Sequence, residues 1–408
     1  MSADEGTLLA LNAGSSSLKF ALYRRGDPPQ RRLSGNVDRI GRSDTKLAFR
    51  DDVRNEDSSI VVGDVDHALA ARFLLDWLDE RVGLRSIAAA GHRIAHGGPR
   101  YLEPHRVTPE LVAELRRVSV LAPAHVPAAL AVIDALGARA AHLPQFACFD
   151  TSFHRTMPQV ARSFALPRSL QRKGVERYGF HGLSYAFLMD ELARVAGATA
   201  ARGRVILAHL GNGASLAAVR EGRSVDTSMG FTPASGIPMS SRSGDLDPGL
   251  VGYLAHAEGM SAAQFDDMVN HRSGLLGLSE TSSDMRDLLA AEARDPRAAE
   301  AVALFCYHVK KWIGAFAAVL GGVDTLVFAG GIGENQPVIR ERICAGLEFL
   351  GIALDARRND RNEPVISPDA ARVAVRVMRT DEALTIATTV SRMLDATSAP
   401  VLGLPDSP

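Results

Sequence analysis

A polar hairpin turn near the N-terminus is the first place where this 408-residue chain could do chemistry. The apolar run of residues 8–11 leads into Asn12, then a turn of small and hydroxyl residues, and then Lys19 and a second strand-like run. Strand, Gly/Ser turn and strand form a hairpin. The N–H groups and hydroxyls of such a turn can surround an anion, and Lys19 adds a positive charge. For a single turn, a solvent-exposed hairpin tip is the alternative.

A second copy of this pattern occupies residues 207–219. With a shift of 198 positions, Leu9 falls on Leu207 and Ser17 falls on Ser215, and both segments read as apolar strand, small-residue turn and apolar strand. Two anion-binding hairpins in the two halves of one chain indicate a duplicated domain that grips a nucleotide between its copies. Chance similarity of two glycine-rich hairpins is the alternative.

Two arginines lie in segments of small residues, Arg93 in GHRIAHGG and Arg242 in SSRSGDLDPG. An arginine in such a loop is not explained as a charge on a helix surface. Guanidinium groups suit carboxylate and phosphate, so the pair predicts an acidic substrate and a transferred phosphoryl group. A structural ion pair with an aspartate such as Asp245 is the alternative.

Four histidines stand at predicted loop positions, namely His96, His125, His154 and His181. A lone histidine is usually a polar residue with its hydrogen bonds satisfied. His181 follows a Tyr-Gly-Phe sequence at the predicted end of a strand or loop, which makes it the best candidate donor to developing negative charge.

Carboxylates at the ends of elements predict a metal site. Asp150 follows a predicted strand in the first half, and Glu382 begins a predicted helix near the C-terminus. With Asn12 they offer the oxygen ligands that Mg²⁺ prefers. Helix capping is the alternative for Asp150.

A glycine-rich turn, GGIGEN at residues 330–335, lies between a predicted strand and a predicted helix. Its glycines let the backbone approach a flat ligand, and the following helix N-terminus favours negative charge. Such turns are also common for packing reasons alone. The chain has no GxxxxGK[ST] motif, so a P-loop is excluded.

Composition narrows the class of protein. With 46 basic and 47 acidic residues the net charge is −1, which argues against nucleic acid or an anionic membrane as partner. Three cysteines without CxxC spacing fit a reducing compartment and no zinc site. The longest apolar stretch, residues 312–328, is interrupted by Gly321, Gly322 and Asp324, and the N-terminus lacks a signal pattern. We therefore expect a soluble cytoplasmic protein.

The chain length favours two domains, and alternating strands and helices predict mostly parallel sheets. Residues 24–55 are polar and predict turns and edge strands. Helices are predicted at 66–81, 109–120, 126–136, 301–320 and from 337 through 350, and strands at 87–90, 146–149, 325–329 and 372–378.

These motifs together resemble the acetate kinase family, within the wider superfamily of actin, heat-shock chaperones and sugar kinases. The similarity covers essentially the whole chain. Its motifs keep the family's order and spacing: LNAGSSSLKF, GHRIAHGG, LAPAH, FDTSFH, RYGFHGLS, HLGNGAS, MGFTP, RSGDLDPG, SSDMRDL, AGGIGEN and TDEALTIA.

The resemblance implies an α/β fold of two duplicated actin-like ATPase (ribonuclease H-like) domains around a nucleotide cleft. The N-terminal domain would comprise residues 1–150 plus a C-terminal return helix within 383–408, and residues 151–382 would form a nucleotide-binding, dimerising second domain. It also implies a homodimer that transfers a phosphoryl group reversibly and in line from ATP to acetate, giving acetyl phosphate and ADP.

The resemblance also implies roles for individual residues. Asn12 and Glu382 would hold Mg²⁺, with Mn²⁺ as an alternative. The catalytic residues would be Arg93 on the carboxylate, Asp150 as active-site acid, His181 and Arg242 on the transition state, and also His125. The residues implied for ATP are Lys19, His209, Leu210, Gly211, Asn212, Gly213, Asp284, Met285, Arg286, Gly331, Ile332, Gly333, Glu334 and Asn335.

Several positions depart from the family pattern. Val126 replaces a usual Asn, Ala383 replaces a usual second Glu, and Ala95 stands where acetate-specific relatives often have Val. The smaller Ala95 should widen the acyl pocket, so a propionate or butyrate kinase is the alternative. A regulatory ATPase like actin or the heat-shock chaperones is a distant one.

The chemistry limits the role of Asp150. A carboxylate substrate has a pKa of about 4–5 by analogy with Glu and is already ionised at pH 7. The nucleophile needs no general base, so we expect Asp150 to position the metal, its waters or an arginine.

Overall fold

The computed structural model of the chain describes residues 6–123 and 125–398, with side chains up to 396. The chain divides into two compact units, the first running to Ser152 and resuming at Asp381, and the second comprising Phe153–Thr380. The predicted domain roles, including nucleotide binding and dimerisation by residues 151–382, stay predictions.

Within these described residues, the first unit holds eight strands and the second holds five. The strands are Thr7–Ala13 (β1), Ser17–Arg24 (β2), Gln30–Asp38 (β3), Lys46–Asp51 (β4), Glu56–Val61 (β5), Ile87–Ile94 (β6), His105–Arg106 (β7), Gln145–Phe149 (β8), Arg204–Leu210 (β9), Ala214–Arg220 (β10), Arg223–Thr227 (β11), Thr325–Ala329 (β12) and Ala374–Val377 (β13).

The two sheets share a five-strand core. The first sheet has the order β5-β4-β3-β2-β1-β6-β8-β7 and the second has β11-β10-β9-β12-β13. In both, the first hairpin is antiparallel (β1–β2 and β9–β10), and the two strands on its other side run parallel to its first strand. The segment β3-β2-β1-β6-β8 therefore repeats the order and directions of the whole second sheet, which is direct evidence of an internal duplication.

The sheets are mixed, so the prediction of mostly parallel sheets is wrong. Residues 17–61 form an antiparallel meander of four strands, β2 to β5, and β7 pairs antiparallel with β8. Short turns join these strands, and strands joined by short turns pair antiparallel, because a parallel pair needs a crossover connection. The expected edge strands in the polar stretch belong to this meander.

The helices of the described residues cover both units. They are His67–Val82 (α1), Pro109–Val118 (α2), Val126–Arg139 (α3), Gln159–Arg162 (α4), Arg168–Gln171 (α5), Gly182–Arg202 (α6, broken at Gly197), Gly249–Ala257 (α7), Ala262–His271 (α8), Gly274–Ser279 (α9), Met285–Ala291 (α10), Pro296–Leu320 (α11), Gly330–Asn335 (α12), Pro337–Cys344 (α13), Ala356–Asp360 (α14) and Glu382–Ser398 (α15).

Three local predictions differ from the structure. Strand β6 extends through Ile94, because β1 and β8 pair with it on both sides, so Arg93 lies in a strand and not in a loop. The GGIGEN turn is itself a short helix, α12. Helix α13 ends at Cys344 and not at 350, because Ala345 leaves the helical region of φ/ψ space and Gly346 has a φ of +80°.

Helix α15 returns to the first unit and packs on β1 and β6. The contact is close enough to require a glycine at position 91 of β6. A Cβ there would lie 2.3 Å from Cγ2 of Ile386 and 2.7 Å from Cγ2 of Val390. This packing brings Glu382, the first residue of α15, into the first unit.

Among the described residues, one helix, α11, has the length and composition that could cross a membrane. Its side chains explain the apolar composition in another way. Phe305, Val309, Ile313 and Phe316 are fully buried in the core of the second unit, beside strands β9 and β10. Helix α11 is thus the central core helix of that unit.

Candidate active site

A buried ionic cluster lies at the carboxyl end of the first sheet. Parallel strands β1, β6 and β8 end at the same edge, which carries Asn12, Arg93 and, directly after β8, Asp150. The carboxyl edge of such strands is where α/β sheets place their sites. Asp150 is 1% exposed, and the side chain of Arg93 is 16% exposed.

Arg93 joins the members of this cluster. Its Nη2 donates to Oδ2 of Asp150 at 2.6 Å, and its Nε lies 3.1 Å from both carboxylate oxygens. Its Nη1 donates to Oδ1 of Asn12 at 3.1 Å, and Nδ2 of Asn12 donates to Oε2 of Glu382 at 3.0 Å. The Asp150 carboxylate therefore forms an ion pair with Arg93.

The charges of this cluster depend on one another. Burial lowers the pKa of Arg93, but the negative charges of Asp150 and Glu382 outweigh it and raise that pKa overall. Burial raises the pKa of Asp150, the charge of Arg93 opposes the rise, and the charge of Glu382 adds to it. Two carboxylates thus share one guanidinium, and a further cation at this edge would be favoured.

The oxygen donors at this edge are suited to a hard metal ion. Asn12, Asp150 and Glu382 supply hard oxygen donors, whereas the described residues contain no group of three or more His, Cys, Asp or Glu side chains arranged to hold an ion. Mg²⁺ typically keeps several waters and uses one or two carboxylates together with substrate phosphates. The residues at this edge fit such a partly hydrated ion.

Lys19 lies across the first hairpin from Asn12, with which it pairs in the ladder. It lines a cavity of about 540 Å³ in the first unit, which also includes Asn36, Asp381 and Ala383. Lys19 thus lies in the strand next to the ionic cluster, and its predicted contact with phosphate stays a prediction.

Three other predicted positions of the first unit lie around helix α3 and the end of β6. His125 precedes α3, and its carbonyl accepts the N–H of Ala129. Val126 is fully buried, and Ala95 is 5% exposed within the same hydrophobic core. A buried Val126 explains an apolar residue at this position by packing.

The second hairpin turn differs in length from the first. Ala13 and Leu18 are the last paired residues of β1 and β2, with four residues between them, whereas Leu210 and Ala214 enclose only three. A constant shift of 198 therefore cannot match both strands of the hairpins. The shorter turn consists of Gly211, Asn212 and Gly213.

His181 stands beside this turn in a rare backbone conformation. Its φ is +59° immediately before α6, in the left-handed region that a non-glycine residue seldom occupies. A Cβ built on Gly213 would lie 3.2 Å from Nε2 of His181 and 3.5 Å from Nη1 of Arg242. The structure thus brings the predicted pair His181 and Arg242 together at the glycine turn.

Two other candidate histidines, His154 and His96, are buried and form hydrogen bonds inside the protein. His154 is buried, with Nδ1 2.9 Å from Oγ of Ser224 and Nε2 3.0 Å from the carbonyl of Phe180. Burial lowers its pKa to about 4. His96 is fully buried and its Nδ1 accepts the N–H of Gly98, and burial lowers its pKa also to about 4.

Arg242 contacts two neutral groups near the glycine turn. Its Nη1 donates to the carbonyl of Pro233 at 3.2 Å, and Sδ of Met239 lies 3.6 Å away. Asp245, the suggested ion-pair partner, instead accepts the N–H of Gly236 at 2.8 Å.

A cavity of about 430 Å³ lies next to the glycine turn in the second unit. Its lining joins residues from the second hairpin, the start of α10 and the GGIGEN segment. The predicted nucleotide residues that line it are Gly211, Asn212, Asp284, Met285, Arg286, Gly331, Ile332 and Asn335. Sequence reasoning missed three lining residues, Ser240, Ser283 and Gln336.

The remaining predicted nucleotide residues do not line this cavity. Leu210 is fully buried in the core, and Gly333 packs on Phe328. The Glu334 carboxylate accepts the N–H of Gly330 at 2.9 Å and so stabilises the start of α12. His209 stacks on His181 with ring centroids 4.3 Å apart.

Sequence reasoning also missed a buried arginine that supports α12. Arg340 is fully buried and donates to the carbonyl of Gly333 at 2.8 Å and to side-chain oxygens of Asn359 and Asn362 at 2.8 and 2.7 Å. Burial lowers its pKa to about 10. The available signal was an arginine on the apolar face of α13, between Ile339 and Ile343.

The family-level comparison covers nearly the whole chain. A family model described as the Acetokinase family matches residues 7–388. The chain is 44% identical over 394 residues to an acetate kinase of Rhodopseudomonas palustris, covering 95% of this chain and 98% of that protein. It is 43% identical over 393 residues to a propionate kinase of Citrobacter rodentium, covering 95% and 96%.

A solved structure is similar as well. The crystal structure of Porphyromonas gingivalis acetate kinase matches with a TM-score of 0.85 at 37% identity, over 95% of this chain and all of that one. Together with the repeated five-strand order, this similarity confirms the predicted fold of duplicated actin-like ATPase domains.

Proposed function

Because the chain belongs to the acetokinase family, we propose that it transfers a phosphoryl group from ATP to acetate and forms acetyl phosphate and ADP. The observation that carries this proposal is the buried cluster of Arg93, Asp150, Asn12 and Glu382 at the carboxyl edge of the first sheet. A guanidinium at a strand end, held in place by a carboxylate on one side, suits a small carboxylate substrate.

Arg93 is proposed to bind the substrate carboxylate. Asp150 fixes the guanidinium through Nε and Nη2, which defines its orientation before any substrate arrives. Such preorganisation lowers the cost of ordering the site. The substrate is already ionised at neutral pH, so Asp150 has no proton to remove and acts by positioning Arg93.

The nucleotide is proposed to bind in the cavity of the second unit. The glycine turn of the second hairpin and residues Gly331 and Ile332 of α12 line this cavity, and its glycines let the backbone approach a ligand closely. Arg340 stabilises helix α12 beside this cavity, because it donates hydrogen bonds to both Gly333 and Asn359.

His181 and Arg242 are proposed to stabilise the transferring phosphoryl group. Phosphoryl transfer passes through a loose state with charge on the equatorial oxygens, so positioned donors and cations provide most of the catalysis. Both side chains approach the glycine turn at Gly213, which is the support for this assignment.

A divalent metal, Mg²⁺ in our proposal and Mn²⁺ as an alternative, would be held by Asn12 and Glu382. Such an ion supplies charge neutralisation to the phosphates when it is bound. Lys19, in the adjacent strand, would contact a phosphate group, because its ammonium group is positively charged.

Propionate is the second candidate substrate. The similarity to an acetate kinase and to a propionate kinase differs by one percentage point of identity, so overall identity does not separate them. The small side chain of Ala95 favours the longer acid.

We also infer a cytoplasmic homodimer. Helix α7 has no buried residue, and it exposes Leu250, Val251 and Tyr253, which is unusual for an apolar helix of a monomer. A second copy of the chain is the proposed partner. Sedimentation of the purified protein tests this, and a monomer at micromolar concentration would refute it.

A hydroxamate assay tests the proposed activity. Purified protein with ATP, Mg²⁺ and acetate, propionate or butyrate should yield an acyl phosphate that hydroxylamine traps, and omission of the acid should abolish the signal. ATP hydrolysis that does not depend on any acid would refute the proposal and favour a regulatory ATPase.

A further inference from the structure

A chain of three side chains in the second unit ends at His181. The Tyr185 hydroxyl lies 2.5 Å from Oγ of Ser215, and that Oγ lies 2.8 Å from Nδ1 of His181. Tyr185 and Ser215 are fully buried, and His181 is 9% exposed. Ser215 belongs to β10, directly beyond the glycine turn, and Tyr185 lies in the first turn of α6.

The protons of this chain can be counted. In the part of the chain that the structure describes, the side chains of Tyr185 and Ser215 form no other hydrogen bond. Each hydroxyl has one proton to donate. If His181 donated from Nδ1 to Ser215, then Ser215 would donate to Tyr185, and the buried Tyr185 proton would lack an acceptor.

The opposite direction gives an acceptor to each hydroxyl proton of this chain of side chains. Tyr185 donates to Ser215, Ser215 donates to Nδ1 of His181, and the single proton of the neutral imidazole is then on Nε2. Burial raises the pKa of Tyr185, so the phenol keeps the proton that it donates. A buried donor without an acceptor loses its hydrogen bonds to water and gains nothing in return, which selects this arrangement.

The selected tautomer points its proton toward the glycine turn. Nε2 of His181 is the ring atom nearest to the position of a Cβ on Gly213, with Arg242 on the same side. A neutral imidazole with its proton on Nε2 donates to an anion there, whereas the other tautomer would present a lone pair and repel it.

We propose that Ser215 and Tyr185 are positioning residues that hold His181 as the neutral tautomer protonated on Nε2, which donates to the transferring phosphoryl group. The tautomer follows from the hydrogen bonds alone, and its effect on turnover rests on the proposed function. The device also explains why a histidine is held with a φ of +59° at the start of α6. That backbone conformation directs the ring between Ser215 and the turn.

The tautomer is tested by nitrogen-15 NMR of histidine-labelled full-length protein, with the His181 signals assigned by their loss in His181→Gln. We expect Nδ1 without a proton and Nε2 with one. A proton on Nδ1 in the wild type would overturn the proposal. This measurement needs no activity, so an inactive protein with the expected tautomer would refute the proposed function alone.

The effect on turnover is tested with Ser215→Ala. We expect kcat to fall about 10–100-fold, as for loss of a residue that orients a catalytic group, while KM for ATP stays within about twofold and a second tautomer of His181 appears. Ser215→Thr, which keeps the hydroxyl, should recover most of the turnover. Tyr185→Phe should lower kcat by a smaller factor, because Ser215 can still donate to His181.

A matched control separates positioning from loss of stability. Ser367 is a buried serine of the same unit whose Oγ accepts the N–H of Val375 at 3.1 Å. Ser367→Ala should lower the melting temperature and leave kcat unchanged. If Ser215→Ala and Ser367→Ala have the same kcat, or if Ser215→Ala leaves a single Nε2 tautomer, the positioning role is refuted. Should Ser215→Ala fail to fold, Tyr185→Phe and the wild-type spectrum still decide.

Discussion

The two sheets have the same five-strand core but different chemistry at their carboxyl edges. In the first unit, the edge beside the hairpin carries the guanidinium of Arg93 with the carboxyl groups of Asp150 and Glu382, at 2.6 and 3.7 Å from it. In the second unit, the corresponding parallel strand β12 ends at Ala329 and is followed directly by Gly330, and a histidine stands beside the hairpin turn. Duplication thus conserved the frame that places side chains at one edge, while the side chains placed there diverged.

The arginines of the two units also differ in the charge of the groups to which they donate. Arg93 is fixed by a carboxylate, so charge balance in the first unit depends on it. Arg242 and Arg340 of the second unit donate to carbonyl and amide oxygens, which carry no net charge. Loss of Arg93, which leaves the buried carboxylate of Asp150 without its cation, should therefore affect stability more than loss of Arg242.

The largest expected effect is that of Arg93→Ala. The substitution leaves Asp150 and Glu382 without their shared cation, and removal of one partner from a buried pair costs about 3–5 kcal/mol. Loss of a preorganised charge should also lower kcat/KM for the carboxylate by at least about 10²-fold. Urea unfolding and the hydroxamate assay measure the two effects.

A double variant separates these two roles. Arg93→Ala combined with Asp150→Asn removes the unpaired carboxylate and should recover part of the free energy of unfolding, with no recovery of activity. If the double variant regained activity, Arg93 would be a purely structural partner of Asp150.

Arg242→Ala should show the opposite balance. Nη1 of Arg242 donates to the neutral carbonyl of Pro233, and loss of a hydrogen bond to a neutral acceptor costs less than loss of one partner of a buried ion pair, so we expect a smaller change in melting temperature than for Arg93→Ala. Turnover should fall by at least about 10²-fold if the guanidinium stabilises the transferring phosphoryl group. Near-normal turnover with a lowered melting temperature would make it a structural residue, and would remove the contrast with Arg93.

Each unit also contains a buried histidine that makes the free energy of unfolding depend on pH. Burial lowers the pKa of His92 in the first unit and of His154 in the second to about 4 in the folded protein. The unfolded chain has a pKa of about 6.5, so it binds protons first as the pH falls. The contribution of each histidine to the free energy of unfolding is therefore fully present above about pH 6.5. It decreases as the pH falls from about 6.5 to about 4, by up to about 3 kcal/mol for each residue.

Urea midpoints between pH 7.5 and 4 measure this loss. Replacement of the exposed His142 by Gln is the control and should leave the curve unchanged. A free energy of unfolding that stays constant from pH 6.5 to 4.5 would contradict the burial of neutral imidazoles.

The sequence predicted both hairpins and the edges that carry Asn12, Arg93 and Asp150, because apolar runs followed by polar residues mark the ends of buried strands. It could not predict the extra residue of the first turn, since turn length depends on how the strands pair. It also could not predict that Arg93 lies in a strand, which depends on pairing with two neighbours from distant segments.

Contacts made across the fold were the least predictable part of the site. Tyr185 and Ser215 are 30 residues apart, and only the packing of α6 on the second sheet joins them to His181. The burial of Arg340 could not be predicted for a related reason, because arginine side chains are usually at the surface. A side chain whose partner comes from another element leaves little trace in local sequence.

The smallest expected effect concerns Ala95, which follows the strand of Arg93 and is 5% exposed. If this position lines the acyl pocket, Ala95→Val adds two methyl groups where the end of the substrate chain packs. One methylene in an apolar pocket is worth about 1–3 kcal/mol, so the ratio of kcat/KM for acetate over propionate should rise about tenfold. In the wild type, the two acids should be used within about tenfold of each other. The measurement is kcat/KM for both acids on wild type and variant. An unchanged ratio with a lowered melting temperature would place Ala95 in the core of the first unit alone, and the choice of acid would then depend on other residues.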